Sequence, residues 1–491
     1  MRANRGLHLG YMYWATGTHP AGWRFPGATA GRAFDPDYIV DVARRAEDAA
    51  FDFFFLGDRL ATGTEYQYTN TSVLARPEPF TVAGYLAAKT SRIGLVVTAN
   101  TTYYEPFNLA RLTASLDHIS AGRAAWNLVT GADPRAAGNY SRSRHGEADE
   151  RYDRADEFAD LVVHLWDSWE DGAFIRNKQT GEFVDGAKIH AVEHEGSYFQ
   201  VRGPLNLSRP PQGHPVILHA GTSDRSRQLA ARDADVVFGA AATIEDGVRY
   251  ASDLRSRAAA LGRDPEGLLV LPGLTPVVAE TLEAARAVYD QLNALILLDE
   301  DIRYGGAGPD AWPIGGAPPR REDQGPGRRN LAALSQRLGV DVTGADLDEP
   351  VDETVRQSAT DEGRRLIATA ASRSGRLVGR GLTWRDVLYA HIWGAHVVVG
   401  GPSEVADYLE QWLRAGACDG FNIQSAFLLD QLEEFIRLVV PELRRRGLFR
   451  TEYTGTTLRD HLGLTRPANT VAGTTAARRT AGSAVAEGAR L

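Results

Sequence analysis

The sequence predicts an α/β protein, a (β/α)8 barrel of TIM type that carries insertions. Three observations point there. Short apolar runs alternate with longer segments of helical periodicity through most of the 491 residues, the pattern of repeated βα units and a parallel sheet. The runs are continuously apolar rather than alternating, as strands covered on both faces are. They number close to eight, which favours a closed barrel over an open sheet.

Residues 7–13 read as the first strand. Asp35-Pro36 opens a helix reaching Ala50, with Asp as cap and Pro in the first turn. Residues 51–56 form a second strand, ending Gly57-Asp58. Helix 78–90, strand 93–98, helix 106–119 and strand 124–129 follow, then a long helix over about 149–170. Strand 215–218, helix 223–233, strand 235–238, helix 245–261, strand 268–278 and helix 281–298 continue the rhythm. Strands 396–399 and 420–423 flank helix 402–415 near the end.

Three segments interrupt it. Residues 172–214 hold no helical pattern and are expected to form an insertion with a hairpin. Residues 299–395 read as one large insertion, rich in Gly, Pro and Arg to 330 and helical from 331. Residues 1–466 are thus expected to be one barrel domain, and 467–491, without periodicity, a disordered tail.

Composition narrows the chemistry. A net charge of -9 with no basic stripe argues against nucleic acid. The single cysteine, Cys418, excludes an intrachain disulfide and makes the cytoplasm the expected compartment. No apolar run is long enough to span a membrane. Lys89, Lys178 and Lys188 are the only lysines, and none falls on a strand end, so Schiff-base chemistry is not expected.

Barrel active sites lie at the C-terminal ends of the strands. Those ends carry Asp58, Thr98, Asn100, Asn127 and the run His219 to Ser223. The set is polar, mostly neutral, and has one carboxylate. A glycosidase needs two carboxylates, and a metal hydrolase needs clustered His and acidic ligands. His190 and His194 are four apart but on no helix, so no metal site is expected. Such a lining suits a cofactor that brings its own reactivity. Gly221-Thr222-Ser223, opening a helix, suits a phosphate, although an ordinary serine cap reads the same way. Thr98, Asn100 and Asn127 can hydrogen-bond a cofactor ring or polyol chain, or simply satisfy strand ends. Tyr11, Tyr13, Trp14, Tyr103 and Tyr104 are candidates for an aromatic pocket wall.

Longer strings carry a resemblance. They include His19 to Arg24, Phe53 to Asp58, Gly122 to Thr130, Glu150-Arg151-Tyr152, Leu165 to Trp169, and Gly203 to Asn206 leading into Pro211-Gln212-Gly213. Near the end come Gly416 to Asn422, Val440 to Leu443, Arg446 to Tyr453 and Gly455 to Arg459. With these the chain resembles the bacterial luciferase-like flavin monooxygenases, in the branch of nitrilotriacetate monooxygenase, dibenzothiophene sulfone monooxygenase and pristinamycin synthase component A.

The resemblance implies a two-component enzyme. A separate NAD(P)H:FMN reductase would supply reduced FMN, and this chain, as a homo-oligomer, would use it with dioxygen to oxidise a small nitrogen- or sulfur-containing molecule. Asp58 and Thr98, with Asn100 beside it, would contact FMN, and Tyr152 and Ser223 its phosphate. Asn127 joins them from its place on the fourth strand. The family's usual histidine four residues before Tyr152 is Ala148 here. His145 would replace it if that segment is helical, and His145 and His219 are the candidates for moving a proton. Rival readings are a deazaflavin-dependent oxidoreductase on the same scaffold and a flavin-binding protein without turnover.

Overall fold

The computed structural model describes residues 6–62, 76–239, 241, 243–298, 328–428 and 430–471. Strands β1 (His8–Tyr13), β2 (Phe53–Leu56), β3 (Gly94–Asn100) and β4 (Ala124–Val129) pair in parallel in that order. A small antiparallel pair follows, β5 (His194–Glu195) and β6 (Gln200–Val201), the hairpin expected in the first insertion. The parallel sheet resumes with β7 (Val216–Ala220), which pairs with β4, and β8 (Val236–Phe238).

The expected strand 268–278 is two strands, β9 (Leu269–Val270) and β10 (Gly273–Val278), because Pro272 has no N–H to give the ladder. The break closes the barrel. Leu271 N–H donates to Val237 O of β8 at 2.9 Å, while Asn422 N–H of β12 (Gly420–Gln424) donates to Pro272 O at 2.9 Å. β12 then pairs with β1. The ring therefore runs β1, β2, β3, β4, β7, β8, β9/β10, β12 and back to β1. β11 (Val397–Gly400), expected among the barrel strands, pairs with β10 outside the ring.

Inward-facing Met12, Phe53, Phe55, Val96, Ala125, Leu218, Val236 and Leu271 fill the lower lumen, and Leu458, Leu462 and Leu464 plug its floor. Gly10 leaves room for Phe53, whose ring would lie 2.1 Å from a Cβ there. Outward residues such as Leu9, Phe54, Leu95 and Phe421 pack under the surrounding helices. Helix Pro36–Asp48 shows why these segments fold locally: the Asp35 side chain accepts from Asp37 and Tyr38 N–H, and Ile39, Val42, Ala43 and Ala46 face the sheet.

The second insertion holds helices Arg328–Leu338, Glu353–Ser358, Asp361–Ser374 and Trp384–Ile392 around a core of its own, including Leu334, Leu338, Ile367 and Leu388. Residues 299–327 lie outside the described residues. The tail does not begin at 467 as expected. Thr470 N–H and Oγ1 both donate to buried Asp167 at 2.9 Å, and Asn469 Nδ2 donates to the Asp167 carbonyl at 2.9 Å. Residues 472–491 lie outside the described residues.

The N-terminal rim is tied by Arg123, 3% exposed, which donates to the carbonyls of Ser120, Ile93, Ala87 and Thr90 and to Thr90 Oγ1. Arg123→Met keeps the apolar stem but leaves these acceptors bare. We expect a loss of stability on the order of 3 kcal/mol from orphaned buried carbonyls. Urea unfolding of the variant measures it, and an unchanged midpoint would contradict it.

Candidate active site

The C-terminal mouth of the barrel gathers polar groups on four neighbouring strands. Asp58 follows β2, Thr98 and Asn100 end β3, Asn127 lies on β4, and Gly221-Thr222-Ser223 follows β7. Register places Asn127 beside Thr98, and Asn127 Nδ2 donates to Thr98 Oγ1 at 3.0 Å. Both are buried, and Asn127 Oδ1 has no partner among the described residues. A buried amide oxygen without a donor is costly.

The phosphate candidate, the turn after β7, has a constrained backbone. Gly221 has φ of +147°, and a Cβ there would lie 2.2 Å from Ser226 Oγ. Only glycine takes this turn. Ser223 caps helix Asp224–Asp233 by accepting from Ser226 N–H, and the N–H groups of a helix's first turn have no partners within the helix. Thr222 and Ser223 are exposed. Tyr250 OH donates to Gly221 O at 2.6 Å and fixes the turn from behind. Tyr152, near the start of helix Ala148–Trp166, lies under Arg225, whose guanidinium is 6.0 Å from its ring. Arg225 is tied to Asp153 at 2.6 Å and Asp156 at 3.2 Å.

Several expected residues have other work. His219 faces away from the lumen, beneath the turn. Its Nδ1 is 2.8 Å from Leu128 O, so that nitrogen carries the proton, and Nε2 accepts from Ser226 Oγ at 2.8 Å. Burial pushes its pKa down to about 4. It is a neutral strut of the turn, not a proton carrier. Asn100 shapes the loop after β3: its Oδ1 accepts from Thr102 N–H at 2.8 Å, and its Nδ2 fills the space beside Gly131. Tyr11 and Tyr13 face outward, bonded to Ser425 Oγ and Ala33 O. Tyr103 and Tyr104 line an outer cleft of about 500 Å³ with Asn108, Arg111 and Tyr140. Trp14 packs against the lumen core.

His145 lies in an irregular segment, since helix Ala148–Trp166 starts after it, so it does not replace the histidine expected at 148 by a helical turn. Its Nδ1 is 2.6 Å from Tyr103 OH, and Nε2 is buried without a partner among the described residues. Burial, with Arg151 close by, lowers its pKa. The Asp58 carboxyl has its affinity for a proton raised: burial, with Glu78 adding, outweighs the 2.7 Å bond from Arg59 N–H and the attraction of Arg76.

The sequence reading missed three further groups at the barrel mouth. Arg76 stacks 4.2 Å over Trp14. Gln424 Nε2 donates to Met12 Sδ at 3.6 Å. Asn422, 1% exposed, pairs in register with Gly10 and Gly273, and neither of its polar side-chain atoms has a partner among the described residues. Arg76 comes from an aperiodic loop, where nothing in the sequence marks its direction. Asn422 lies on an expected strand and was legible by alternation. Among the described residues no group of His, Cys, Asp and Glu could hold a metal, and no helix is long and apolar enough to cross a membrane.

A parallel α/β barrel whose strand ends gather buried, partly unpaired polar groups is a scaffold suited to a cofactor. The comparisons give the family. The luciferase-like monooxygenase family model matches residues 14–418, and the chain belongs to that family. It is 43% identical to nitrilotriacetate monooxygenase component A of Aminobacter aminovorans over 96% of this chain and 99% of that protein. It is 41% identical to N-acetyl-S-(2-succino)cysteine monooxygenase of Bacillus subtilis strain 168 over 94% and 98%. EDTA monooxygenase from Chelativorans sp. BNC1 superposes with a TM-score of 0.74 at 31% identity, over 94% of this chain and 99% of that one. The protein is an FMN-dependent monooxygenase.

The buried histidines set an acid limit. His219, His391, His396 and His461 are pushed down to about 4, and His19 to about 3, all by burial first. Unfolded, each takes a proton near pH 6.5. In that window the unfolded chain binds more protons, so stability is full above it and falls as pH drops through it. Each histidine costs up to about 1.4 kcal/mol per pH unit there. The melting temperature is expected to fall steadily from pH 7 to 4.5, and a flat profile would refute the assignment.

Proposed function

We propose that this chain is the oxygenase of a two-component pair. It takes reduced FMN from a separate NAD(P)H-dependent reductase, as a transient partner, and oxidises a small organic molecule at or beside nitrogen or sulfur. The observation that carries this reading is the continuity of the cradle. A glycine-only turn after β7 lies next to β4, where Asn127 keeps a buried, unpartnered oxygen. An extended cofactor with a phosphate at one end and N–H groups at the other matches that spacing of donors and acceptors.

In this reading the turn at Gly221 to Ser223 and the Tyr152 hydroxyl hold the phosphate. Thr98 and Asn127 orient the ring, and Asp58 borders it. The bound reduced flavin supplies the electrons that activate dioxygen. The protein's part is to orient and to keep water out. Met12, Phe55 and Phe238 provide the apolar surface beneath the ring site. Asp58, its proton affinity raised by burial, is the group best placed to exchange a proton at the mouth. The names of the two relatives at 43% and 41% identity support oxidation next to a heteroatom.

Anaerobic titration with reduced FMN tests this, followed by admission of dioxygen. Wild type should bind with saturable quenching of flavin fluorescence. Gly221→Ala, which forces a Cβ against Ser226, and Tyr152→Phe should each weaken binding about tenfold or more, with melting temperatures within a few degrees of wild type. Absence of saturable binding by wild type would sink the proposal.

A further inference from the structure

We infer that Met12, whose thioether lies in the lumen wall beneath the ring site, is an oxidation site of the enzyme: in turnover without substrate its sulfur takes one oxygen atom and becomes a sulfoxide of a single handedness. The inference rests on the reading above for where the flavin lies, and it names a modification of that same cavity.

Position is the first argument. The chain has two methionines, Met1 and Met12. Met12 is 8% exposed and is the last inward residue of β1, in register with Phe55 of β2 and Gln424 of β12. A Cβ on Gly57 would lie 3.2 Å from Met12 Cε, so the thioether reaches the level of the residue before Asp58. The other buried side chains of the lumen core, Phe55, Val96 and Leu218 among them, are hydrocarbon. Cys418, the one thiol, is buried ahead of β12, at the opposite end of the barrel. Among the described residues Met12 is therefore the one sulfur that borders the mouth.

Chemistry is the second argument. A thioether is polarizable, and its first oxidation product is the sulfoxide. When no substrate takes the oxygen, dioxygen accepts two electrons and two protons from the bound reduced flavin and leaves as hydrogen peroxide. A lone pair of Met12 Sδ attacks one peroxide oxygen. The O–O bond breaks as the S–O bond forms, sulfur is oxidised by two electrons, and the second oxygen leaves with both protons as water. Gln424 Nε2 donates to Sδ at 3.6 Å and engages one lone pair. The other lone pair is left to react, which fixes the handedness of the product. The sulfoxide oxygen is polar and stands in an apolar wall, so it weakens the grip on a flavin ring above it.

The test uses the full chain in excess over chemically reduced FMN, in the dark and with catalase in solution. Anaerobic loading and admission of dioxygen are cycled with no substrate present, and peptide mass spectrometry follows both methionines. Met12 should gain one oxygen atom, cycle by cycle, while Met1, the control for peroxide in solution, stays unmodified. The two methionine sulfoxide reductases each act on one epimer, and one of them alone should clear nearly all of the modified Met12 peptide. Over the cycles the reduced-FMN affinity of wild type should fall severalfold. That of Met12→Leu, a swap of similar volume, should hold at its own starting value. The inference is overturned if Met12 stays unmodified while bound flavin is reoxidised, if Met1 is oxidised as fast as Met12, or if both reductases act equally on the Met12 peptide. It is also overturned if affinity falls equally in Met12→Leu, or in neither protein. Failure of wild type to bind reduced FMN is the separate result that removes the reading of the site itself.

Discussion

The segment from Leu269 to Val278 serves two neighbours, and the site depends on it. Its first half bonds β8 and its second half bonds β12. The change of partner occurs where Pro272 interrupts the donors and leaves only its carbonyl, which Asn422 N–H takes. Without that switch the sheet would have two open edges and no lumen. With it, every strand end of the ring faces one mouth. The apolar inward residues are confined to the lower layers, and the polar ones rise above them.

Most of the strings that resemble the family lie at the opposite end. Gln212 Nε2 donates to Asp117 at 2.6 Å and to Ala124 O at 2.8 Å, while its Oε1 accepts from Arg459 N–H. Arg450 donates to Ala50 O and pairs with buried Asp52, and Tyr453 OH donates to Phe51 O. Arg123 binds the carbonyls of the rim. These residues close the floor and tie the C-terminal segment to strand starts. A floor of buried polar groups joined in such networks admits few substitutions. This is why fold and family were legible in the sequence, while the substrate was not.

At the mouth, legibility followed backbone geometry. Asp58, Thr98, Asn127 and Gly221 lie at the strand ends where the sequence placed them, because a strand end and a helix start have fixed meaning in a barrel. Errors came from side-chain parity. Met12 faces in, so Tyr11 and Tyr13 face out; Leu218 faces in, so His219 faces out. The alternation was present, but strands apolar on both faces hide it. Asn100 shows a second limit: an amide after a strand serves its own turn as readily as a ligand. Arg76 shows a third, because an aperiodic loop gives no direction.

In the proposed function the turn at Gly221 to Ser223 would hold its anion mainly by neutral means. The nearby cation, Arg225, is engaged by Asp153 and Asp156, and the rest of the cradle is helix-start N–H groups and hydroxyls. Thr222 and Ser223 are open to solvent. A cofactor held for life is better served by a buried, uncompensated arginine, since charge-assisted bonds in a dry site are about twice as strong as neutral ones. A cofactor that arrives reduced and leaves oxidised must be released each turnover, so too strong a grip would slow the cycle. Under that proposal, compensating Arg225 would weaken the phosphate end, and burying Thr98 and Asn127 would keep selectivity at the ring end. Such a division of strength between the two ends would suit an oxygenase supplied by a separate reductase.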